Sequence, residues 1–234
     1  MTKVYLLSLC VLFVAVIYYS VGRSVSLPWI KKVTIMLSGA LFGIAGLFIM
    51  YFIENGNFEG LSFFGAFFFG PLGILASCHL LKLTKENSAY MMDIGVPSVC
   101  AALCIHKIGC ALTGCCYGKL IKVFEDGTGL RFPSQLVESG TALLTMILFL
   151  WFIRKGYFHG QLYPIYMIVY GMERFCLNCF RDTQGHSGLP MGQLWSIVAI
   201  LLGASHFYLR YLLKTAEKEK KHIKRNRTIH KPNH

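Results

Sequence analysis

The sequence predicts an all-α fold, a polytopic integral membrane bundle of about seven transmembrane helices. Three observations predict it. The 234 residues are 55% hydrophobic and only 15% charged, with a mean hydropathy of +0.53; soluble domains have about 45–50% apolar and about 25% charged residues. Seven stretches reach or approach the roughly 20 apolar residues needed to cross a hydrocarbon core. Lys and Arg gather in alternate connections between those stretches. Such hydrophobicity excludes a disordered chain, and length with apolarity excludes a small disulfide-stapled module.

The stretches are Val4–Val21, Val33–Ile53, Leu61–Leu81, Met91–Cys116, Gln135–Ile153, Gln161–Phe180 and Met191–Leu213. The first follows Lys3 like a signal peptide, but no small-x-small cleavage site follows it, so a retained helix is expected. In the third, the run Phe63-Phe64-Gly65-Ala66-Phe67-Phe68-Phe69-Gly70 reads as lipid-facing aromatics with small residues for helix contact. The fourth carries His106 and Lys107, and the sixth carries Glu173 and Arg174. Charge at membrane depth is tolerated where protein or a wet cavity surrounds it.

Orientation follows from the basic residues. Arg23, Lys31 and Lys32, then Lys82 and Lys85, then Arg154 and Lys155, then the tail all fall on one side of a seven-span chain. That side is expected to be the cytoplasm, with the amino terminus outside and the carboxyl terminus inside. The connection holding Lys119, Lys122 and Arg131 departs from the pattern, partly offset by Glu125 and Asp126. Residues 1–213 are expected to form the membrane domain, and 214–234 a basic, disordered cytoplasmic tail. The tail supplies half of the net +12 through Lys214, Lys218, Lys220, Lys221, Lys224, Arg225, Arg227 and Lys231, against Glu217 and Glu219. It has no interleaved aromatics and follows a span directly, which argues against nucleic acid and for a juxtamembrane anchor near anionic lipid.

Four ionisable residues stand out at membrane depth: Lys107, Glu138, Arg174 and Arg181. Each costs a few kcal/mol in a span unless it faces the interior with a partner. Arg174, Asn178 and Arg181 fall on one helical face. That strip can hold an anion, or Arg174 can pair with Glu138 while Arg181 reaches the headgroups. Three cations against few buried acids favour an anionic ligand, in a membrane a phospholipid headgroup. In Arg131-Phe132-Pro133-Ser134-Gln135-Leu136-Val137-Glu138, Pro133 suits a first helical turn and Gln135 and Glu138 share a face.

Among nine cysteines, Cys176-x-x-Cys179 and Cys110-x4-Cys115-Cys116 invite a redox or zinc reading. An apolar helix places a Cys-x-x-Cys pair poorly for either, and free Cys serves as a small hydrophobe. No metal site is expected. His106, beside Lys107, is a candidate base.

Taken in order, these elements resemble the prolipoprotein diacylglyceryl transferase family from about Ser62 to Gln193. The resemblance is carried by Asp93-Ile-Gly-Val-Pro97, by His106-Lys-Ile-Gly-Cys-Ala-Leu-Thr-Gly-Cys-Cys-Tyr-Gly118, by Arg131-x-Pro-x-Gln-Leu-x-Glu138, by Tyr170-Gly-x-x-Arg174-Phe-x-x-Asn178-x-x-Arg181 and by Met191-Gly-Gln193. It implies a seven-span enzyme of the bacterial inner membrane, with no cofactor. Its partners would be phosphatidylglycerol, the lipobox segment of prolipoproteins and membrane lipids. Such an enzyme transfers the diacylglyceryl group to the lipobox cysteine, forming a thioether and releasing glycerol phosphate. The implied catalytic residues are His106, Lys107, Arg174 and Glu138; the implied lipid contacts are Lys107, Arg131, Gln135, Arg174, Asn178 and Arg181. The family's His corresponds to Phe64, its signature Arg to Lys107, the Glu between its two arginines to Asn178, and its Tyr before the last Glu to Val137. Two other readings are a divergent paralogue that binds lipid or lipoprotein with little activity, and a membrane thiol oxidoreductase.

Overall fold

A computed structural model describes residues 26–114, 116–124, 129–181 and 191–229, with backbone alone at 214 and 217–229. The described residues form six helices and one hairpin: α1 (Trp29–Asn55), α2 (Phe63–Leu80), α3 (Lys85–Thr113), β1 (Leu120–Val123), β2 (Gly129–Arg131), α4 (Ser134–Lys155), α5 (Leu162–Cys179) and α6 (Met191–Ile229). The expected span Val4–Val21 lies outside the described residues. Five helices are long and apolar enough to cross a membrane: α1 to α4, and α6 over Met191–Leu213. At 18 residues α5 is as long as α2, about 27 Å, but it carries Glu173 and Arg174 and is not apolar enough to meet that criterion. The chain is a multi-pass, all-α membrane protein.

Local chemistry sets the boundaries. Thr84 caps α3, its Oγ1 accepting from the Asn87 N–H at 3.2 Å. Gly114 ends the helix in the left-handed region, so Cys116, expected inside the span, lies beyond it. The hairpin between α3 and α4 had no counterpart in the sequence reading; its short strands are fully exposed. The structure describes α6 as helical to Ile229, past residue 213 where the tail was expected to begin. Residues 214–229 contain neither Gly nor Pro and are rich in Lys, Glu and Arg. A helix already nucleated in the membrane extends through such residues at little cost.

Helices α1 and α2 pack antiparallel through small residues. Gly43 meets Ala66 and Gly70, and Gly46 meets Gly65 and Phe69. Such close backbone approach supplies the van der Waals contact that holds helices together in lipid. A Cβ on Gly65 would overlap the Gly46 carbonyl. Gly65→Ala is therefore expected to destabilise the protein by about 1–3 kcal/mol, read as a lower midpoint of thermal unfolding in detergent.

The aromatic run of α2 corrects the lipid-facing expectation. Phe64 and Phe67 are core residues, and their rings pack against Tyr170, with Tyr166 beyond. A helix packed on both sides buries aromatics that hydropathy alone assigns to lipid. Away from the hairpin, the buried Asp93 carboxylate accepts the Tyr163 N–H at 3.1 Å and the Gly160 N–H. The Arg210 guanidinium donates to the Gly160 carbonyl. These bonds tie α3 and α6 to the start of α5 and so set its depth.

Candidate active site

Three helices present a polar residue within an otherwise apolar stripe. On α3, Cys100, Leu103, Lys107 and Cys110 are buried at helical spacing. On α4, Gln135, Glu138, Ala142, Met146 and Phe149 are buried along one side, with Ser134 and Ser139 also buried. On α5, Tyr166, Tyr170 and Asn178 are buried on the face that carries Arg174.

The stripes meet at one atom. Lys107 Nζ and Arg174 Nη1 each lie 2.9 Å from Glu138 Oε2. Side-chain exposure is 6% for Lys107, 3% for Glu138 and 13% for Arg174. Ions this far from water need one another, since an unpaired buried charge costs several kcal/mol. Arg174 pairs with Glu138, as the ion-pair alternative to the anion reading expects, and Lys107 shares the same carboxylate oxygen.

Around the triad are buried polar atoms without a hydrogen-bond partner: Glu138 Oε1, Arg174 Nε, Asn178 Nδ2 and Tyr170 Oη. Buried polar groups are normally satisfied, so these atoms have capacity for a further polar partner.

The remaining candidates scatter. Gln135 is buried one turn before Glu138. Arg181 is partly buried; its charge reaches Glu138, and its backbone pairs with Gly118. Arg131 is exposed on β2, opposite Leu120. His106 is exposed on α3 with Nε2 3.7 Å from Cys110 Sγ. Adjacent helix residues point about 100° apart, so His106 stays outside the ion pairs that Lys107 makes, though it lies within electrostatic reach of Lys107 and Glu138.

The hairpin is fastened to the start of α4 and to the end of α5. Lys119 N–H donates to the Phe180 carbonyl at 2.8 Å, and Gly118 N–H to the Phe132 carbonyl at 3.1 Å. Phe132 and Phe180 stack at 5.1 Å. A Cβ on Gly118 would meet both of those carbonyls, so this position joins the ends of α4 and α5 only as glycine.

Two acids were not among the candidate site residues, although Glu173 is noted in the sixth stretch. Glu54, near the end of α1, accepts from Ser62 Oγ at 2.9 Å and lies within electrostatic reach of Arg174. Glu173 accepts from the Thr141 hydroxyl across the α4–α5 seam. With both nearby, the excess of cations is smaller than the count of Lys107, Arg174 and Arg181 against Glu138 suggested. Their positions at the end of an apolar run and beside Arg174 were the available signal. Cys176 and Cys179, the Cys-x-x-Cys pair of α5, form no disulfide with each other.

Comparison with known proteins gives a consistent picture. The family profile described as prolipoprotein diacylglyceryl transferase matches residues 10–209. A phosphatidylglycerol–prolipoprotein diacylglyceryl transferase of Clostridium tetani is 30% identical over 191 residues, covering 70% of this chain and 75% of that protein. The protein of the same name from Pseudoalteromonas translucida is 30% identical over 188 residues, covering 72% of this chain and 69% of its own. A transferase numbered 2 in Clostridium perfringens is 31% identical over 170 residues, covering 68% of this chain and 64% of its own.

Proposed function

The chain belongs to the prolipoprotein diacylglyceryl transferase family, and from that premise we propose how its buried charges serve the family's reaction. The protein is a phosphatidylglycerol–prolipoprotein diacylglyceryl transferase. It moves the diacylglyceryl group onto the cysteine thiol of a prolipoprotein, at the lipobox, and releases glycerol phosphate. The observation that carries the reading is the meeting of Lys107 and Arg174 at Glu138 Oε2.

Departure of glycerol phosphate concentrates negative charge on the phosphate oxygens. Fixed cations in a dry site stabilise that charge without reorganising. Lys107 and Arg174 supply them, and Arg174 can present two N–H groups to phosphate oxygens. Glu138 holds both cations in place while the site lacks lipid and shares them when phosphate arrives. The orphaned Arg174 Nε, Asn178 Nδ2 and Tyr170 Oη add donors for headgroup oxygens, with Gln135 and Arg181 at the margin. Arg131, on the exposed hairpin, serves to attract anionic lipid. The hairpin end faces outward and the end bearing Lys82, Lys85, Arg154 and Lys155 faces the cytoplasm, so the amino terminus is outside and the tail beyond residue 213 inside. This places the site where exported prolipoproteins arrive.

The test combines the purified chain with phosphatidylglycerol labelled in its acyl chains and a peptide carrying a lipobox cysteine. Labelled peptide in thioether linkage is the expected product, and its absence with the intact protein overturns the assignment. In the same assay, Lys107→Arg is expected to keep activity within about threefold, and Lys107→Ala to lose about a hundredfold. Equal losses would argue against a phosphate contact for Lys107.

A further inference from the structure

The transferase reading leaves one proton without a destination. A thiol attacks as thiolate, so the acceptor cysteine must give up its hydrogen near the reacting carbon. Glu138 is a poor recipient, because protonating it would strip two buried cations of their counter-ion. His106 is exposed, with its Nε2 against Cys110 Sγ rather than in the ion-paired cluster. We propose that Glu173 is the general base of this chain, and that the hydroxyl of Thr141 is built to serve both of its protonation states.

The geometry is specific. Thr141 lies three residues after Glu138 on α4, so the two share a face, and Glu173 precedes Arg174 on α5. The Thr141–Glu173 contact therefore sits one turn along the seam that holds Glu138 and Arg174. Glu173 makes no ion pair among the described residues, unlike Glu138. It is only partly buried, which leaves its carboxylate approachable. The charged groups facing it are Glu138 from α4, Lys107 from α3 and Arg174 from its own helix, with the Tyr166 and Cys100 side chains behind.

Thr141 Oγ1 lies within bonding distance of three acceptors. They are Glu173 Oε1 and, at 3.1 Å each, the carbonyls of Val137 and Glu138. A hydroxyl has one hydrogen and two lone pairs. With Glu173 ionised, Thr141 donates to the carboxylate. Once Glu173 is protonated, Thr141 turns its hydrogen to a backbone carbonyl and accepts from the acid. The pair can therefore take up a proton without leaving a buried group unsatisfied, as a base in a dry site requires.

The step balances without a further reactant. The S–H proton passes to Glu173, and the sulfur forms a bond to the glyceryl carbon. The carbon–oxygen bond to phosphate breaks, with its electron pair staying on glycerol phosphate beside Lys107 and Arg174. Glu173 then returns its proton to water or to the departing phosphate.

This proposal rests on the transferase reading, and the same assay separates the two. With wild-type protein active, Glu173→Gln is expected to lower kcat about a hundredfold at pH 7, with the KM for lipid changed less than threefold. Raising the pH to 9 should recover most of that loss, because a free thiol with a pKa of about 8.5 then ionises unaided. Glu173→Asp should retain partial activity. Should Glu173→Gln fail to fold, Thr141→Val, which keeps the side-chain shape, should slow transfer about tenfold with the same recovery at high pH. Wild-type-like rates at pH 7 in the folded variants, or a loss that high pH does not restore, would overturn the role of Glu173 alone. An inactive wild type would overturn the transferase reading and this proposal with it.

Discussion

Arg174→Ala is expected to lower diacylglyceryl transfer about a thousandfold while the protein still reaches the membrane in wild-type amount. Removing one fixed donor from a site of developing negative charge costs about a hundred- to a thousandfold, and Arg174 offers more than one. Insertion should survive because the truncation removes a charge from membrane depth and leaves Glu138 paired with Lys107 at 2.9 Å. Transfer from labelled phosphatidylglycerol to a lipobox peptide measures the first effect. Quantifying the protein in washed membranes measures the second. Unchanged peptide labelling would remove Arg174 from the chemistry and leave it as a structural ion pair.

Glu138→Ala should have the largest effect on stability. It deletes the single oxygen on which Lys107 and Arg174 converge, leaving two neighbouring buried cations with no counter-charge at that point. Breaking a buried pair by removing one partner costs about 3–5 kcal/mol, which for a chain of this size lowers the unfolding midpoint by about 10 °C. The double variant Glu138→Ala, Arg174→Ala should regain part of that loss, because one of the two stranded cations goes with it. Thermal unfolding in detergent checks both. A midpoint within about 2 °C of wild type for Glu138→Ala would show that the carboxylate is not the counter-ion that holds these helices together.

Much of the architecture was legible because bilayer physics leaves few choices. A chain this apolar must satisfy its backbone in helices, and the described helices fall on six of the seven expected stretches. Lys107, Glu138 and Arg174 were legible as a site because charge at membrane depth needs a partner. Less legible was anything decided by rotation about a helix axis. His106 and Lys107 are neighbours in sequence, and packing of α3 buries one and exposes the other. Phe64 and Phe67 looked suited to lipid, and contact with Tyr170 makes them core. The hairpin was hidden because its strands contribute no buried stripe and no strong alternation; their pairing rests on backbone bonds and on the fit of Gly118 between Phe132 and Phe180.

By itself, then, the sequence determined the class of solvent, the order and approximate places of the helices and the residue types that had to be shielded from lipid, because those follow from composition and local spacing. Only the tertiary structure decided that Lys107 and Arg174 share one oxygen of Glu138, and that Glu173 faces Thr141 across the α4–α5 seam. Contacts between residues about 30 apart or more depend on how three helices rotate and slide to bury their apolar stripes, a balance of packing across the whole bundle that no local pattern encodes.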